Sequence, residues 1–513
     1  MIKLNYLLLI GLILSIISSC KQENTTLTTE DDNRSYYNEP FRPQFHFSPE
    51  ANWMNDPNGM VYYEGEYHLF YQYYPDSTVW GPMHWGHAVS EDMVHWEHLP
   101  IALYPDSLGL IFSGSAVIDW NNTSGFGSEN NPPMIAIFTH HNQRLLDDGS
   151  DLFQYQSIAY SLDKGRSWTK YEGNPVVPNP GIRDFRDPKV IWDEERLQWV
   201  MTFAAYDKVR FYTSADLKEW EFSGTFGIDG DDRLWECPDL FPMTVKETGE
   251  KKWVLITSIQ QKAPNGGTAT SYFVGDWDGK TFKGDPDDQK WLDWGTDNYA
   301  LVTWADVPKE DGRVLAMGWM SNWQYAQVVP TEKWRSAMTL PRELTLHQDG
   351  NIRSLPVREL TSIEGKINQF EDMTIEDVQS GKLGEGTTFK VDLSFRMPSH
   401  KKILLKVSNK QGEYVELGFD TDHFFIDRTN SGVSDFSDVF AARHTAPVEE
   451  VLEEVHLTLY IDHSSIELFA NEGRWVMTDI IFPSEPYNTI SLEASGAPVQ
   501  LIEGSITEIN GIW

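Results

Sequence analysis

The sequence predicts an all-β protein, a five-bladed β-propeller followed by a C-terminal β-sandwich. Helical periodicity is nearly absent before residue 350, where short apolar and aromatic runs alternate with Gly, Asp, Asn and Pro. One turn phrase recurs through this part of the chain, and a two-residue alternation of apolar side chains begins near residue 389. At 513 residues the chain is long enough to bury a core in each of two domains.

The N-terminus is typical of an exported protein. Residues 1–19 resemble a signal peptide, because the uncharged stretch 6–19 is too short to span a bilayer as a helix. A small-residue pair directly before Cys20 resembles the lipobox of bacterial lipoproteins, in which that cysteine is lipidated. We therefore expect a lipid-anchored protein of the cell envelope, with residues 20–40 as a flexible tether. An ordinary secretory signal with an incidental cysteine is the alternative.

The propeller prediction, residues 41–355, depends on a repeat. A phrase with a serine, an acid and a closing aromatic residue occurs at residues 90–96, 161–168 and 214–220, and more weakly at 275–282. The closing aromatic residues are 72, 52 and 62 positions apart, the length of a four-stranded sheet with its loops. Repeats of this size built from hairpins are typical of a β-propeller. A run of unrelated hairpins is the alternative.

One polar motif lies near the start of each repeat unit. In a propeller the first strand of each unit is the innermost one, so we expect the five motifs to surround a single funnel. The motifs are those of Asp56, Ser113, Asp187, Glu236 and residues 297–300.

The C-terminal third of the chain has a different pattern. Residues 356–383 are predicted to be a linker, partly helical, and residues 384–513 a β-sandwich. Apolar residues alternate with polar ones at Phe389, Val391, Leu393 and Phe395, and in several later runs, which is typical of strands with one buried face. No concentrated catalytic motif occurs there, so we expect this domain to be structural or accessory.

The charge restricts the partners. The formal net charge is -36, which repels nucleic acid and anionic membrane surfaces and favours a neutral or cationic partner. We therefore expect no nucleic-acid binding, and membrane contact only through the lipid anchor. Twenty tryptophans suggest that a few present flat faces to sugars, although most pack between sheets. A monomer is expected.

The acids of three motifs indicate the chemistry. Asp56, Asp187 and Glu236 come from separate units, and three carboxylates in one funnel suggest glycoside hydrolysis, which needs an acid and a base or nucleophile. Each acid alone could be a turn residue or a surface charge, so the prediction rests on the set. Arg186 is expected to favour the ionised form of its neighbour Asp187.

The same motifs carry a family resemblance. WMNDPNG (53–59), RDP (186–188) and ECP (236–238) resemble the three signature motifs of glycoside hydrolase family 32, which contains invertases, inulinases and levanases. The resemblance extends from about residue 41 to the end and includes SSIELF (464–469) in the second domain. It implies a propeller joined to a sandwich, and hydrolysis of β-D-fructofuranosyl bonds with retention through a covalent fructosyl-enzyme.

Residue roles follow from the resemblance alone. Asp56 would be the nucleophile, Glu236 the acid/base, and Asp187 the stabiliser that holds fructose hydroxyls. For a retaining pair, the carboxyl groups of Asp56 and Glu236 should lie ~5 to 5.5 Å apart. The resemblance also implies six substrate-binding residues, namely Asn55, Gln72, Trp80, Ser113, Arg186 and Trp323.

The expected substrate is a fructan or fructo-oligosaccharide, with levan, inulin and sucrose as candidates. Linkage preference and terminal or internal attack stay open, and a tethered enzyme favours polysaccharide over sucrose. The alternatives are an inverting propeller glycosidase of the arabinanase/xylosidase type, a fructosyltransferase, and a glycan-binding protein with an inactive site.

We expect neither a metal nor another cofactor. The histidines of HWGH (84–87) and the pair at 140–141 lack the spacing of a zinc site, and the chemistry needs no metal. If Cys20 is lipidated, Cys237 is the one remaining cysteine, and its neighbours suggest a small buried hydrophobe.

Overall fold

The described part of the chain is almost entirely β-structure, and the predicted fold class is confirmed. The computed structural model describes residues 36–370, 372–375, 378–397, 402–495 and 498–513. The predicted signal peptide, Cys20 and residues 20–35 of the predicted tether lie outside the described residues. The described helical elements are α1 (Gln143–Asp147) and a 3₁₀ helix at Arg358–Ile363. No helix within these ranges is long and apolar enough to cross a membrane.

The first three blades are four-stranded antiparallel sheets whose strands follow chain order, apart from one later strand that joins blade 1. Blade 1 contains β1 (Asn52–Tyr63), β2 (Glu66–Tyr74), β3 (His84–Ser90) and β4 (Glu97–Leu103). Blade 2 contains β5 (Leu110–Ile118), β6 (Met134–His141), β7 (Gln154–Ser161) and β8 (Thr169–Lys170). Blade 3 contains β9 (Phe185–Asp193), β10 (Gln198–Ala205), β11 (Lys208–Ser214) and β12 (Glu221–Gly227).

The last two blades carry additional short strands. Blade 4 contains β13 (Trp235–Thr244), β14 (Lys251–Ile259), β15 (Ala269–Trp277) and β16 (Phe282–Gly284), with β17 (Lys290–Trp291) paired to β15. Blade 5 contains β18 (Tyr299–Thr303), β19 (Val314–Met320), β22 (Arg342–Leu346) and β23 (Ile352–Pro356). Two short strands lie between β19 and β22 in the chain: β20 (Trp334–Arg335) pairs in parallel with β1, and β21 (Ala337–Met338) pairs with β19. The pairing of β20 with β1 ties the end of the propeller to its beginning.

The five inner strands, β1, β5, β9, β13 and β18, form a closed ring. Each contacts the inner strands of both neighbouring blades, and β18 contacts β1. A separate apolar cluster lies between each pair of adjacent blades, including the pair of blade 5 and blade 1. Because the inner strands are covered on both faces, they are buried almost continuously and show little polar alternation. Burial of these clusters is the main force that holds the ring closed.

The repeated phrase forms the hairpin between the third and fourth strands of its blade. In blade 2, Ser161 Oγ donates a hydrogen bond to Asp163 Oδ1 at 2.7 Å, and Trp168 Nε1 donates to Gly165 O at 3.0 Å. The same serine-to-aspartate and indole-to-carbonyl bonds recur in blades 1 and 3. The repeat therefore marks one turn geometry per blade, which is why it reveals the blade spacing.

The C-terminal domain consists of two packed antiparallel sheets. The first contains β24 (Glu364–Phe370), β36 (Val499–Ile509), β27 (Phe389–Arg396), β32 (Glu454–Ile461), β33 (Ser465–Ala470) and β34 (Trp475–Ile480), with β25 (Met373–Ile375) also on β36. The second contains β26 (Gln379–Lys382), β35 (Thr489–Ser495), β28 (Lys402–Ser408), β29 (Tyr414–Asp420), β30 (His423–Asp427) and β31 (Arg443–Pro447). Alternate side chains of β27 and its neighbours point into one shared core.

Two predicted boundaries need correction. The segment 356–383 is not a linker, because after its 3₁₀ helix it supplies β24, β25 and β26 to the two sheets of the sandwich. The side chains of β24 are mostly exposed, as expected at a sheet edge, so they show no two-residue alternation. At the other end, Tyr37 stacks on Trp513 with a centroid distance of 4.1 Å, so the folded unit begins at Tyr37 and not at residue 41.

A buried network of charges joins the propeller to the sandwich. Arg342 on β22 bonds to Asp293 at 2.9 Å and to Glu467 on β33 at 2.6 Å, and all three side chains are almost completely buried. Arg428, which follows β30, bonds to Asp297 at 2.6 Å. Removing either partner of such a pair would leave an uncompensated buried charge.

Within the fifth predicted motif, residues 297–300, the acid Asp297 lies away from the acids of the other motifs. Its carboxylate lies in this network and accepts a bond from Tyr325 at 2.7 Å as well as from Arg428. The physical reason is that blade 5 adjoins the sandwich, whose arginine requires a buried counter-charge. Tyr299, two residues further on, points to the site described below.

His46 extends the network. Its Nδ1 bonds to Asp462 at 2.7 Å and its Nε2 to Glu467 at 2.8 Å. Burial alone would lower the pKa of His46, but its hydrogen bonds to these two carboxylates raise it to about 9. The imidazolium therefore stabilises the folded state at neutral pH.

This raised pKa predicts a loss of stability in alkaline solution. Because the folded-state pKa of about 9 lies above the unfolded value near 6.5, the contribution of His46 is complete below pH 6.5 and is lost as the pH rises through 9. The difference is on the order of 3 kcal/mol in the free energy of unfolding. Denaturant unfolding at pH 6 and pH 10 should show a smaller decline for His46→Gln than for the wild type. His95→Gln, at an exposed histidine, should behave as the wild type, and equal declines for all three proteins would contradict the prediction.

Candidate active site

Every inner strand carries a β-bulge near its start, at the position of a predicted motif. A bulge inserts an extra residue, breaks the two-residue alternation and re-aims the neighbouring side chains. Consecutive residues can therefore face the same funnel. The register shifts lie between Met54 and Pro57, Ile111 and Gly114, Arg186 and Lys189, Glu236 and Asp239, and Tyr299 and Val302.

Three of these bulges contain a residue in the left-handed region. Asp187 has φ 65°, Cys237 has φ 44° and Ala300 has φ 53°. Non-glycine residues in this region are strained, and such strain persists only where the surrounding structure enforces it. The closed ring supplies that enforcement, because each bulge is packed between two neighbouring blades.

The carboxylate of Asp56 is held by three side-chain donors. Ser113 Oγ donates to its Oδ2 at 2.7 Å, and Asn55 Nδ2 donates to its Oδ1 at 3.1 Å. Cys237 Sγ lies 3.5 Å from Oδ2. Asn55 is itself fixed, because Trp53 Nε1 donates to its Oδ1 at 2.7 Å. Neighbouring strands thus fix the orientation of this carboxylate before any ligand binds.

Asp187 lies on the other side of the same cysteine. Its Oδ2 accepts a bond from the backbone N–H of Cys237 at 3.1 Å and lies 3.7 Å from the sulfur. Burial raises the pKa of Asp187 to about 7, against the opposing effect of the Arg186 guanidinium, and the carboxylates of Glu236 and Asp56 raise it further. Arg186 thus favours the ionised form of Asp187, as expected from the sequence, but burial outweighs the guanidinium.

Arg186 is bonded mainly to Glu236. Its Nε and Nη2 donate to Glu236 Oε1 at 3.1 and 3.0 Å, whereas Asp187 Oδ2 lies 3.8 Å away. Its Nη1 donates to Asp184 Oδ1 at 2.6 Å. The hydroxyl of Tyr299 donates to Glu236 Oε2. Both oxygens of Glu236 are thus held from opposite sides, and its side chain remains 13% exposed.

Cys237 is more than the small buried hydrophobe expected from its neighbours. Burial raises the pKa of its thiol well above the usual range, and the charges of Asp56 and Asp187 raise it further. The thiol therefore stays protonated, and its S–H can donate to Asp56 while its backbone N–H donates to Asp187. One residue at a bulge thus links two of the three acids.

Three further residues predicted to bind substrate are Gln72, Trp80 and Trp323. The two tryptophans pack against other aromatic side chains, and, within the part of the chain that the structure describes, Gln72 has an unpaired N–H donor. Gln72 is buried, and its Nε2 has no hydrogen-bond partner among the described residues. Trp80 is exposed and packs edge-on against Phe112 at 6.0 Å. Trp323 is partly buried and stacks on Trp53 at 5.9 Å. A buried amide without a partner is expected where a polar ligand completes the site.

Sequence reasoning missed Tyr299 and the donor role of Cys237. Tyr299 lies within the predicted motif at residues 297–300, but a tyrosine in a buried strand is usually a packing residue, so the sequence alone does not assign it to the site. The N–H and S–H groups of Cys237 both point to acids only because the bulge rotates the backbone, and a single sequence gives no signal of that geometry.

The histidines considered for zinc are separated in the structure and engaged elsewhere. His87 bonds to His68, His140 bonds to Ser157, and His141 stacks on Phe112. Within the described ranges, no group of three or more His, Cys, Asp or Glu side chains is arranged to hold a metal ion. The expectation that no metal is needed stays a prediction.

Two family models match the chain over most of its length. The model of the glycosyl hydrolases family 32 N-terminal domain matches residues 46–356. The model of the glycosyl hydrolases family 32 C terminal matches residues 358–508. The second match begins at the 3₁₀ helix that leads into the sandwich.

Curated relatives and solved structures agree with these matches. The chain is 47% identical over 494 residues to a levanase of Bacillus subtilis (strain 168), covering 93% of this chain and 72% of the relative. It is 38% identical over 517 residues to an extracellular exo-inulinase of Aspergillus awamori, covering 93% and 96%. The crystal structure of exo-inulinase from Aspergillus awamori superposes with a TM-score of 0.84 at 35% identity, covering 93% of this chain and 100% of that chain.

A second solved structure is similar along its whole length. The β-fructofuranosidase from Schwanniomyces occidentalis, complexed with fructosyl-erythritol, superposes with a TM-score of 0.80 at 32% identity. The match covers 93% of this chain and 99% of that chain. The similarity therefore includes both the propeller and the sandwich.

The raised pKa of Asp187 predicts that this acid costs stability. Its pKa of about 7 in the folded state exceeds the ordinary value of 3.8, so the cost is complete above pH 7 and disappears as the pH falls below 3.8. Asp187→Asn should raise the melting temperature at pH 8 by ~2–4 °C, and the gain should shrink toward pH 4. Calorimetry at both pH values checks this.

Asp163→Asn is a matched control, for which the expected change in melting temperature has the opposite sign. Burial alone would raise the pKa of Asp163, but bonds from Ser167 and Ser161 lower it, so the wild-type acid stabilises its turn at neutral pH. The control should melt lower than the wild type at pH 8. An equal or lower melting temperature for Asp187→Asn at pH 8 would contradict the assignment of a costly buried carboxylate.

Proposed function

The chain belongs to glycoside hydrolase family 32, and from this membership and the geometry of its site we infer that it is a β-D-fructofuranosidase that hydrolyses fructans. The observation that carries the proposal is the convergence of Asp56, Asp187 and Glu236, from three different blades, around Cys237 and Arg186. An acid, a nucleophile and a further carboxylate in one funnel suit cleavage of a glycosidic bond.

Asp56 is proposed as the nucleophile that attacks the anomeric carbon of the terminal fructosyl unit. Three donors hold its carboxylate, so it meets the substrate in a fixed orientation. The attack forms a fructosyl-enzyme ester and breaks the bond to the leaving oxygen. Water then attacks the same carbon, releases fructose with retained configuration and restores Asp56.

Glu236 is proposed as the acid in the first step and the base in the second. Arg186 directs two N–H groups at Oε1, so the proton that Glu236 transfers is carried on Oε2. Tyr299 contacts that same oxygen, and its hydroxyl can donate to the carboxylate or accept from the protonated acid. Glu236 gives its proton to the glycosidic oxygen and later takes one from the attacking water.

Asp187 is proposed as the stabiliser of the oxocarbenium-like transition state. Its buried carboxylate would accept bonds from ring hydroxyls of fructose, together with Asn55, Gln72 and Arg186. A buried carboxylate gains more from such bonds than one in water, because the local dielectric is low. The unpartnered Nε2 of Gln72 supports its proposed contact with the sugar.

The proposed substrates are both levan and inulin, attacked at the chain end. Support comes from a relative described as a levanase and another described as an extracellular exo-inulinase, each aligned over 93% of this chain. A neutral polysaccharide also suits a protein with a net charge of -36. The comparisons favour neither the inverting glycosidase nor the inactive binder.

Product analysis tests the function. The wild type should release fructose from levan and inulin, with fructose as the early product, whereas internal attack would release oligomers first. In added methanol it should form methyl β-D-fructofuranoside, because methanol intercepts the fructosyl-enzyme on the same face as water. Chromatography and proton NMR measure both products.

Asp56→Asn supplies the control, since the amide keeps the size of the side chain but is a poor nucleophile. It should lower kcat by at least ~10³-fold with little change in folding. Methyl α-fructoside from the wild type would support an inverting mechanism, and net growth of longer chains would indicate transfer. Absence of fructose release from levan, inulin and sucrose would overturn the hydrolase assignment.

We further propose that Cys20 carries a lipid that anchors the protein to the cell envelope, and that the chain acts as a monomer. The residues before and at Cys20 support the anchor, and the mutual repulsion of chains of net charge -36 supports a monomer. Radiolabelled palmitate should enter the wild type but not Cys20→Ser, which should move from the membrane fraction to the soluble fraction. Equal labelling of both proteins would contradict lipidation.

Size-exclusion chromatography of the soluble variant Cys20→Ser checks the oligomeric state.

A further inference from the structure

The propeller ring has a second mouth, opposite the acids. Asp56 and Ser113 lie near the starts of β1 and β5, whereas Val61 and Ile118 lie at the ends of the same strands. Ser113 and Ile118 are five residues apart, which corresponds to ~17 Å of extended strand. We call the end of the ring formed by the strand ends the lower mouth.

Residues 305–309, which follow β18, cross this lower mouth. Ala305 pairs in parallel with Val61 of blade 1. Asp306 Oδ2 accepts a bond from the backbone of Ile118 in blade 2 at 2.9 Å. Lys309 forms an ion pair with Glu194 of blade 3 at 2.6 Å. The segment therefore spans three blades and makes one wall of a depression beneath the ring.

That depression is a cavity of about 510 Å³ between the segment and the ends of β5 and β9. Its volume lies within the ~300–1,000 Å³ typical of ligand pockets. The floor is formed by aliphatic side chains, and three tryptophans and several polar groups surround it. The lining residues used below are Trp120, Asn121, Trp192, Glu194, Asp306 and Lys309.

Trp120 is held rigidly although it is exposed. Its Nε1 donates to Asp306 Oδ1 at 2.8 Å, and its ring lies 5.7 Å from that of Tyr63. Even so, 56% of the residue is accessible to solvent. Because the indole is already fixed, a ligand with an apolar face could stack on it at little cost in side-chain entropy.

The rim offers hydrogen bonds as well. Trp192 packs against Trp199 at 5.0 Å, and its Nε1–H has no acceptor among the described residues. Asn121 is exposed, and no described residue bonds to its side-chain amide. These groups, with the Lys309–Glu194 pair, place donors and acceptors around an aromatic wall.

From this geometry we propose that the lower mouth is a second, non-catalytic saccharide site, which binds a neutral furanoside segment of the same polymer that is hydrolysed at the site of Asp56, Asp187 and Glu236. A sugar ring has C–H groups on one face and hydroxyls around its edge, which matches an indole face surrounded by polar groups. The identity of the ligand rests on the proposed function. A second copy of the chain is disfavoured, because two chains each of net charge -36 repel one another.

The expected consequence is retention of polymer near the active site. A long fructan held at the lower mouth raises the effective concentration of its own chain ends, whereas a trisaccharide is too short to reach both mouths. The lower mouth should therefore affect polymer affinity and leave the chemical step unchanged.

Two measurements on the full chain test the proposal. First, native electrophoresis through gels containing levan or inulin compares Asp56→Asn with the double variant Asp56→Asn/Trp120→Ala, neither of which digests the gel. The double variant should lose a large part of its retardation. Second, Trp120→Ala in the active enzyme should raise KM for levan or inulin by ~3–10-fold, as expected for one aromatic contact, with kcat unchanged. KM for a fructo-trisaccharide should not change.

Two further variants make the test specific. Phe222→Ala removes another exposed aromatic side chain, 50% accessible on the outer strand of blade 3, and should leave retardation and KM unchanged. Trp192→Phe keeps an aromatic ring but removes the indole N–H, and should weaken retardation partly.

The outcomes separate this proposal from the assigned activity. Fructose release by the wild type together with unchanged retardation in the double variant would overturn the saccharide site and leave the function intact. If the wild type releases no fructose, the proposed function is overturned. Retardation that depends on Trp120 would even then support a saccharide site. A dimer that dissociates in Trp120→Ala would assign the lower mouth to a second copy and overturn the proposal.

Discussion

The bulge at the start of each inner strand is the constraint on which the site depends. In a regular strand, neighbouring side chains point to opposite faces, so Arg186 and Asp187 could not both reach the funnel. At the bulge of β9 they do, and Glu236 and Cys237 do the same on β13. Blades 3 and 4 thus each bring two adjacent residues to the candidate site, so an acid and a residue that holds another acid can come from the same motif.

Such bulges are costly, and the rest of the molecule offsets their cost. The left-handed residues of β9 and β13 and the buried carboxylate of Asp187 all disfavour the folded state. The apolar clusters between blades and the pairing of β20 with β1 keep the ring closed around them. Through Arg342 and Glu467, the sandwich also holds β22 of blade 5. The second domain therefore supports the propeller that carries the candidate site.

The fold could be predicted because its signals are repeated. The serine-to-tryptophan turn of Trp168 recurs with the same hydrogen bonds, and the sandwich strands follow a strict two-residue pattern. The grouping of the three acids followed from their equivalent places in the blades. The exposed edge strand β24 has neither signal, which explains why residues 356–383 were predicted to be a linker. Asp297 is paired with Arg428, which lies more than a hundred residues away, and local sequence carries no record of that contact.

The same limit applies to the electrostatics of the site. Sequence adjacency assigns Arg186 to Asp187, but the structure gives its two N–H groups to Oε1 of Glu236. The distinction matters, because a guanidinium on one oxygen and the hydroxyl of Tyr299 on the other make the two oxygens of Glu236 unequal. In its proposed role of giving a proton and later taking one back, Glu236 needs a single oxygen directed at the glycosidic bond. A fixed cation on Oε1 leaves Oε2 for that transfer in both steps, so one contact can serve the acid and the base form alike.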